Sequence, residues 1–465
     1  MLELFTDFKK RLKDIKREGS FLQNLAYTIS GSAYGILLQL IFSPILARIY
    51  TPDAYGNFGV YMAIVSNISM VSMLMLPNAF VIPKKEKEFA SLLQLTSFLA
   101  ISTSVLTFLI FSLFGNQIAS FFNHDGPQWW YYLIGPSLFL VNFKQINSNW
   151  IIRLKLFKKS VKVGFVTSLL GRLFNLIYGL LSRGAIAGLI LGEITGKTIG
   201  LFVQIKIILS GNYHILLKGF SFKKIWNALS QYRNYPLFLL PGNYLNLLAG
   251  QLPIFLFSSA FGFQMVGFYT FSLALLDMPL RLIGNSISPV FLQKAAEVQN
   301  NQPEKLGAIT KEAFQKLLFV ALIPFGLISA FGDYLFLLVF GENWEMAGTF
   351  CRILSVFYMF RLSVSPISSV LAIIRKEKYN LFNSGVIFTL RVISLLVGVY
   401  LIQDIIIALL LFSLSGVIAI FVLIYIIFKF LKQNPFKIIF QSTLYVIISL
   451  GAFNLLRVLF DVFFV

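Results

Sequence analysis

Cysteine and histidine are almost missing from this chain: its 465 residues include one cysteine, Cys351, and two histidines, His124 and His214. A lone thiol excludes intrachain disulfides and thiolate metal clusters, and two distant imidazoles cannot build a His-rich metal site. Charge is scarce as well. Only 12% of the residues are charged, where a soluble domain carries about 25%, so a water-soluble fold is excluded. Carboxylates are the scarcer sign, 19 against 39 Lys and Arg, which leaves a net charge of +20.

Apolar residues take the place of the missing charge. They make up 57% of the chain, the mean hydropathy is +0.79, and they fall in runs long enough to cross a hydrocarbon core about 30 Å thick. The expected fold is an all-α polytopic membrane protein. Spans are predicted at 22–46, 55–82, 89–114, 130–151, 163–182, 185–208, 236–260, 265–292, 312–340, 347–373, 380–401 and 405–428. A last apolar stretch, 438–464, reads either as a thirteenth span or as a hairpin broken around Asn454 and Arg457.

The basic residues sit in short clusters between spans, which excludes nucleic acid as a partner and points to orientation against anionic membrane lipids. With the N-terminus cytoplasmic, the inner connections hold 28 Lys and Arg and the outer ones two, Arg48 and Arg183. Such an asymmetry fixes the topology, because positive charge stays on the cytoplasmic side. Residues 1–18 carry six basic residues with Phe5, Phe8, Leu12 and Ile15 at helical spacing, the pattern of an amphipathic helix on the inner surface. The long inner connection 206–235 divides twelve spans into six and six. Within it Phe222, Ile225, Trp226 and Leu229 recur beside Lys223 and Lys224, as in an interfacial helix. The expected organisation is a basic segment 1–20, a six-helix lobe 21–209, a linker 210–235, a second six-helix lobe 236–430 and an additional segment 431–465. A repeat relates the lobes: Ala54-Tyr-Gly-Asn-Phe-Gly-Val-Tyr matches Met265-Val-Gly-Phe-Tyr-Thr-Phe-Ser when Gly56 is set on Gly267, an offset of 211 residues. Six spans per copy keep the two copies parallel.

A charge at mid-bilayer costs about 2.5–3.5 kcal/mol, so each one needs a reason. Nine basic residues fall inside spans: Lys144, Arg172, Lys197, Arg281, Lys316, Arg352, Arg361, Arg391 and Arg457. Lys316 is placed to snorkel. Only Glu193 and Asp277 stand out as acidic span residues, each four residues before a basic one, Lys197 and Arg281, where the pair shares one helix face. Lys144, Arg172, Arg361 and Arg391 are left with no evident acidic partner. Around Lys144, Asn142, Gln145 and Asn149 share one face, and Asn147 and Ser148 lie with Lys144 on the other. A helix polar on both sides must touch other helices or water. Surplus cations imply a hydrated cavity, an anionic ligand, or both. The candidate binding residues are therefore Lys144, Arg172, Lys197, Arg281, Arg361, Arg391, Asn142, Gln145 and Asn149. Pro44, Pro77, Pro136, Pro253, Pro279, Pro289, Pro324 and Pro366 all fall inside spans, which suits helices that bend.

The run Pro44-Ile-Leu-Ala-Arg-Ile-Tyr-Thr-Pro-Asp-Ala-Tyr-Gly-Asn-Phe-Gly, then Leu76-Pro-Asn-Ala-Phe-Val-Ile-Pro-Lys-Lys, resembles the opening of bacterial polysaccharide-unit flippases. So do Val266-Gly-Phe-Tyr-Thr-Phe-Ser-Leu-Ala and Pro279-Leu-Arg-Leu-Ile-Gly-Asn-Ser-Ile-Ser-Pro-Val-Phe. These are the O-antigen-type translocases, within the superfamily that also holds multidrug exporters and the lipid II flippase. The resemblance implies two six-helix lobes around a central cavity and no enzymatic activity. It implies a substrate of undecaprenyl-pyrophosphate-linked oligosaccharide, moved across the bacterial cytoplasmic (inner) membrane from the cytoplasmic leaflet. It further implies coupling to a proton or sodium gradient, for which Glu193 and Asp277 are the candidate carboxylates. The partners expected with it are membrane lipids, a polysaccharide polymerase and a chain-length regulator. A multidrug exporter of the same superfamily is the alternative, although cationic drugs call for an acidic cavity. A polymerase is less favoured, because the outer loops are short and their one suggestive pair, His124-Asp125, reads as a turn beside Asn123 and Gly126.

Overall fold

The computed structural model of the protein describes residues 21–121, 129–210 and 222–464. The predicted basic helix over 1–18 and the His124-Asp125 turn lie outside them. Sixteen α-helices run through the described residues: α1 Phe21–Ile49, α2 Pro52–Ser72, α3 Glu86–Leu113, α4 Gly115–Phe121, α5 Ile134–Arg153, α6 Phe157–Leu181, α7 Ile186–Leu209, α8 Phe222–Gln231, α9 Leu240–Phe261, α10 Phe263–Asn301, α11 Leu306–Phe340, α12 Glu345–Val364, α13 Val370–Ile373, α14 Lys378–Leu396, α15 Ile405–Phe430 and α16 Pro435–Phe464. Ten of these stretches are long and apolar enough to cross a membrane. A helix satisfies its own backbone hydrogen bonds, which is why a chain in lipid takes this form.

Helices follow the predicted apolar stretches closely, with three corrections. The second predicted span, 55–82, is shorter than expected: α2 stops at Ser72, Leu74 and Met75 turn left-handed (φ 52° and 58°), and a short 3-10 turn covers Leu76–Ala79. Pro77 disfavours helical backbone in the residue before it. The predicted span 347–373 ends its main helix at Val364, just before Pro366, and continues as a 3-10 turn and the short α13. Finally, α16 is one unbroken helix of 30 residues, so the broken-hairpin reading is excluded. Asn454 bonds back to the Leu450 carbonyl at 2.8 Å in an ordinary helical turn. The prolines also divide. Pro44, Pro253, Pro279, Pro289 and Pro324 are inside helices, whereas Pro77, Pro136 and Pro366 lie at or beside the starts of elements, where the missing N–H breaks no helical bond.

The structure divides into two compact units, one of residues up to 49 together with 61–241, the other of 50–60 together with 242 onward. In the first unit α3 packs on α5, α6 on α7 and α1 on α6. Phe80, Phe89 and Trp150 form a T-shaped chain with centroids 5.3 and 5.5 Å apart. Arg153 closes its end, 4.4 Å from the Phe89 ring, with Nη1 donating to the Phe80 carbonyl at 2.6 Å. The α8 helix buries Ala228 with the neighbouring Tyr232 in this core and leaves Trp226 exposed. Along α7, Gly188, Gly192, Gly196 and Gly200 recur every four residues. A Cβ on Gly196 would lie 2.8 Å from the Thr167 carbonyl of α6, so the glycine stripe lets the two helices approach closely, as small residues do in lipid.

In the second unit the first turns of α2 cross α10 at backbone distance. A Cβ on Gly56 would sit 1.7 Å from the Phe263 carbonyl oxygen, and one on Gly267 would sit 1.8 Å from that of Pro52. Two junctions use single glycines: Gly262 (φ 84°, ψ 172°) joins α9 to α10, and Gly341 (φ 96°, ψ 170°) follows α11. That region of backbone space is open essentially to glycine alone. Gly341→Ala is therefore expected to cost about 1–3 kcal/mol, measured as a lower melting temperature of the purified protein.

Candidate functional site: charged clusters and a polar cavity

The close crossing of α6 and α7 places charge. Glu193 and Lys197 follow Gly192 and Gly196 on α7, and their side chains pair at 2.8 Å, as the four-residue spacing predicts. Lys144 of α5 and Arg172 of α6 also lie within electrostatic reach of the Glu193 carboxylate. These two cations, expected to have no acidic partner, thus share one with Lys197. Lys197 is the ion-pair partner of Glu193, and Lys144 adds a second ammonium group close by.

Polar residues of α5 are tied to neighbours on both faces, as a helix polar all round requires. Asn142 is fully buried and accepts from the Ser69 hydroxyl of α2 at 2.8 Å, so in this conformer it joins helices instead of facing solvent. On the other side, Gln204 of α7 donates to Ser148 at 2.8 Å. Asn149 turns back to the Gln145 carbonyl at 3.0 Å. The Tyr61 and Ser137 hydroxyls bond to each other between α2 and α5.

In the second unit Asp277 of α10 takes two partners from α12. The Tyr358 hydroxyl donates to its Oδ1 at 2.8 Å, and Arg361 Nη1 lies 3.2 Å from the same oxygen. Arg361 was expected to be unmatched; its partner lies 84 residues away, beyond the reach of any spacing rule. Arg281, expected to pair with Asp277, brings Nε within 3.4 Å of the Asp277 backbone carbonyl. Arg391 of α14 is different. It is only 5% exposed, its guanidinium lies 5.0 Å from the Phe357 ring and 4.2 Å from the Phe412 ring, and its Nε has no hydrogen-bond partner among the described residues. Cation–π contact stabilises such a group without cancelling its charge. Beside Arg361 and Phe357 opens a cavity of about 400 Å³, lined mostly by Asn and Ser side chains of α9, α14 and the end of α12.

A third cluster escaped the sequence reading. Asp333 of α11 receives Arg457 of α16 through two nitrogens, at 2.9 and 2.7 Å, and Arg352 of α12 at 2.7 Å. Asp461 joins it, 3.5 Å from Arg457 Nε, and accepts from the Tyr334 hydroxyl at 3.0 Å. Asp333 and Asp461 thus add to the two acidic span residues singled out above. The signal was present: an aspartate, Asp333, inside an apolar run, an arginine, Arg352, with no carboxylate at helical spacing, and Arg457 four residues before Asp461. Lys316 pairs with Glu312 at 2.6 Å, both exposed.

A family described as "Polysaccharide biosynthesis protein" matches residues 45–349, roughly two thirds of the chain. The chain belongs to that family. No curated protein matches it. Among solved structures this polysaccharide biosynthesis protein is similar to the lipid II flippase MurJ in an inward-closed conformation, with a TM-score of 0.68 at 16% identity over 94% of this chain and 96% of that one. It is similar also to an inward-facing multidrug resistance MATE transporter of the MOP superfamily, with a TM-score of 0.66 at 12% identity over 92% and 98%. A MOP transporter from Pyrococcus furiosus follows, with a TM-score of 0.59 at 11% identity over 89% and 96%. At such identities the likeness establishes the fold: an all-α, multi-pass membrane protein of MATE and MurJ type. Within this polysaccharide biosynthesis protein, Lys144 and Lys197 lie beside Glu193 in one unit, and Arg391 lies against aromatic rings in the other.

Proposed function

We propose that the protein is a flippase that moves undecaprenyl-pyrophosphate-linked oligosaccharide repeat units from the cytoplasmic to the outer leaflet of the bacterial inner membrane, for O-antigen, capsule or exopolysaccharide synthesis. The observation that carries this reading is the surplus of cations in the spans, with Lys144 and Lys197 beside Glu193 and Arg391 held between aromatic rings, its Nε without a hydrogen-bond partner among the described residues. A diphosphate is the dense anion that suits such a surplus, and guanidinium offers it a bidentate fork. A cationic drug would need the opposite balance, which argues against the multidrug exporter that the shared fold leaves open. The family match supports the polysaccharide side of the reading.

On this reading the lobes 21–209 and 236–430 form a parallel pseudo-repeat around a central cavity, with the N-terminus cytoplasmic and 431–465 an added span. The crossing of α2 and α10 supports the repeat. Pro52 meets Gly267, Gly56 meets Phe263, and Gly59 meets Thr270. Adding 211 to each residue exchanges the partners, so the sequence offset has a counterpart in packing. Lys144, Arg172, Lys197, Arg281, Arg361 and Arg391 serve the pyrophosphate and glycan. Glu193 and Asp277 are the carboxylates through which a proton or sodium gradient acts, and the units delivered outside feed a polymerase and its chain-length regulator.

Deletion of the gene, followed by lipid extraction, tests the function. A flippase mutant accumulates single lipid-linked repeat units on the cytoplasmic side; display of single units outside would instead indicate a polymerase. Complementation with Arg172→Ala, Arg281→Ala or Arg391→Ala is expected to restore membrane protein but at least tenfold less surface glycan. Wild-type glycan with all three would discard the cationic assignment.

A further inference from the structure

We infer that the cavity beside Arg361 is a subsite for the uncharged saccharide part of the substrate, separate from the groups that take its phosphates; this rests on the flippase reading above. Seven of the thirteen residues lining it are Asn or Ser, and Arg361 is the only charged one. That charge is matched at 3.2 Å by Asp277. The cavity therefore has little net charge and many groups that both donate and accept.

Such a lining selects among ligands. A phosphate oxygen accepts only and calls for surplus cations, which lie elsewhere, at Lys144 and Lys197 beside Glu193 and at Arg391. A lipophilic drug calls for a mostly apolar and aromatic wall. A sugar hydroxyl donates and accepts at once, as does each amide and hydroxyl here. The amides come in two pairs, Asn243 and Asn246 on the first turns of α9, and Asn380 and Asn383 on the first turns of α14. Asn246 donates to Ser384 at 2.7 Å, which fixes one pair against the other. The Asn383 Oδ1 is buried without a hydrogen-bond partner among the described residues, an acceptor that the lining itself leaves unfilled. Phe357, whose ring lies 5.0 Å from the Arg391 guanidinium, is an aromatic member of the lining. About 400 Å³ is near the lower end for small-molecule pockets, about 300–1,000 Å³, and so admits part of a repeat unit and no polyprenyl tail. Both amide pairs follow basic connections, 206–235 and 375–378, so charge asymmetry assigns this cavity to the cytoplasmic half, where lipid-linked units are made.

The test uses the purified full-length protein in detergent with two probes: the neutral oligosaccharide released by mild acid from the cells' surface polysaccharide, and undecaprenyl pyrophosphate. Asn380→Ala and Asn383→Ala are expected to weaken binding of the oligosaccharide at least tenfold, read by saturation-transfer NMR, and to change undecaprenyl pyrophosphate affinity less than twofold. Ile387→Trp fills the cavity without removing a hydrogen bond and should give the same split. Oligosaccharide binding that is absent in the wild type, or unchanged in the three variants, overturns the subsite. Loss of oligosaccharide binding in the variants, in a wild type that ignores undecaprenyl pyrophosphate, would uphold the subsite and sink the flippase reading instead.

Discussion

Asp333→Ala is expected to destabilise the protein by about 3–5 kcal/mol, because it leaves a buried ion-pair network with cations and no shared anion. Asp333 holds Arg457 of α16 through two nitrogens and Arg352 of α12 through a third. The side chains of Asp333 and Arg457 are 13% and 18% exposed, so water does little to replace the lost partner. The consequence falls on α16, most of whose residues stay exposed on its outer faces. Lipid tails are as apolar as leucine, so burial of apolar surface does not hold such a helix in place; packing and polar contacts do. Here the packing is modest, with Phe319 against Tyr445 and Phe331 against Phe460, and the aspartate is the one anion both arginines reach. Arg352→Ala should cost less, since Asp333 keeps Arg457. Asp333→Leu combined with Arg352→Met and Arg457→Met should recover much of the loss, because an apolar replacement of a whole buried ion-pair cluster is often neutral. Melting curves of the four purified proteins check the order; an Asp333→Ala protein that melts with the wild type would show that the network contributes nothing.

The limits of the sequence reading follow from what spacing encodes. Runs of apolar residues fix where helices lie, and α3, α7 and α15 match their predicted spans within a few residues. Pairing on one helix is equally legible, as Glu193 with Lys197 shows. Pairing between helices is not, because no local rule links Asp277 to Arg361 over 84 residues or Asp333 to Arg457 over 124. For the same reason Arg361 read as unmatched and Asp333 passed unnoticed. The cavity was hidden more deeply. Asn243, Asn246, Asn380 and Asn383 each read as an ordinary residue of a helix's first turns, and only the fold sets the two pairs against one another. The excess of cations over carboxylates was legible, being a matter of counting; that Arg361 meets a carboxylate while Arg391 meets aromatic rings needed the structure.

Gly56→Ala and Gly267→Ala should each cost about 1–3 kcal/mol or more, the usual range for overpacking, and the double variant should cost far less than their sum. The atoms a new methyl would meet are backbone, the carbonyls of Phe263 and Pro52, at 1.7 and 1.8 Å. No rotamer can relieve them; the first turns of α2 and α10 have to move apart. Once they have moved to admit one methyl, the second enters a gap already opened, so coupling between the two changes should fall within the 0.5–3 kcal/mol range of contacting sites, at roughly its upper end. Gly59→Ala provides the contrast. Its methyl would meet the Thr270 side chain, with Cγ2 at 2.7 Å, and Thr270→Ala should relieve that variant while doing nothing for Gly56→Ala. Surface glycan should follow stability here, since α10 carries Asp277 less than three turns beyond Gly267, and a displaced α10 pulls that carboxylate from Tyr358 and Arg361. Melting temperatures and surface glycan measured on the same variants decide the matter: full additivity of Gly56→Ala and Gly267→Ala would mean that the two glycines do not share one contact, and the offset of 211 residues would then be a coincidence of sequence with no counterpart in packing.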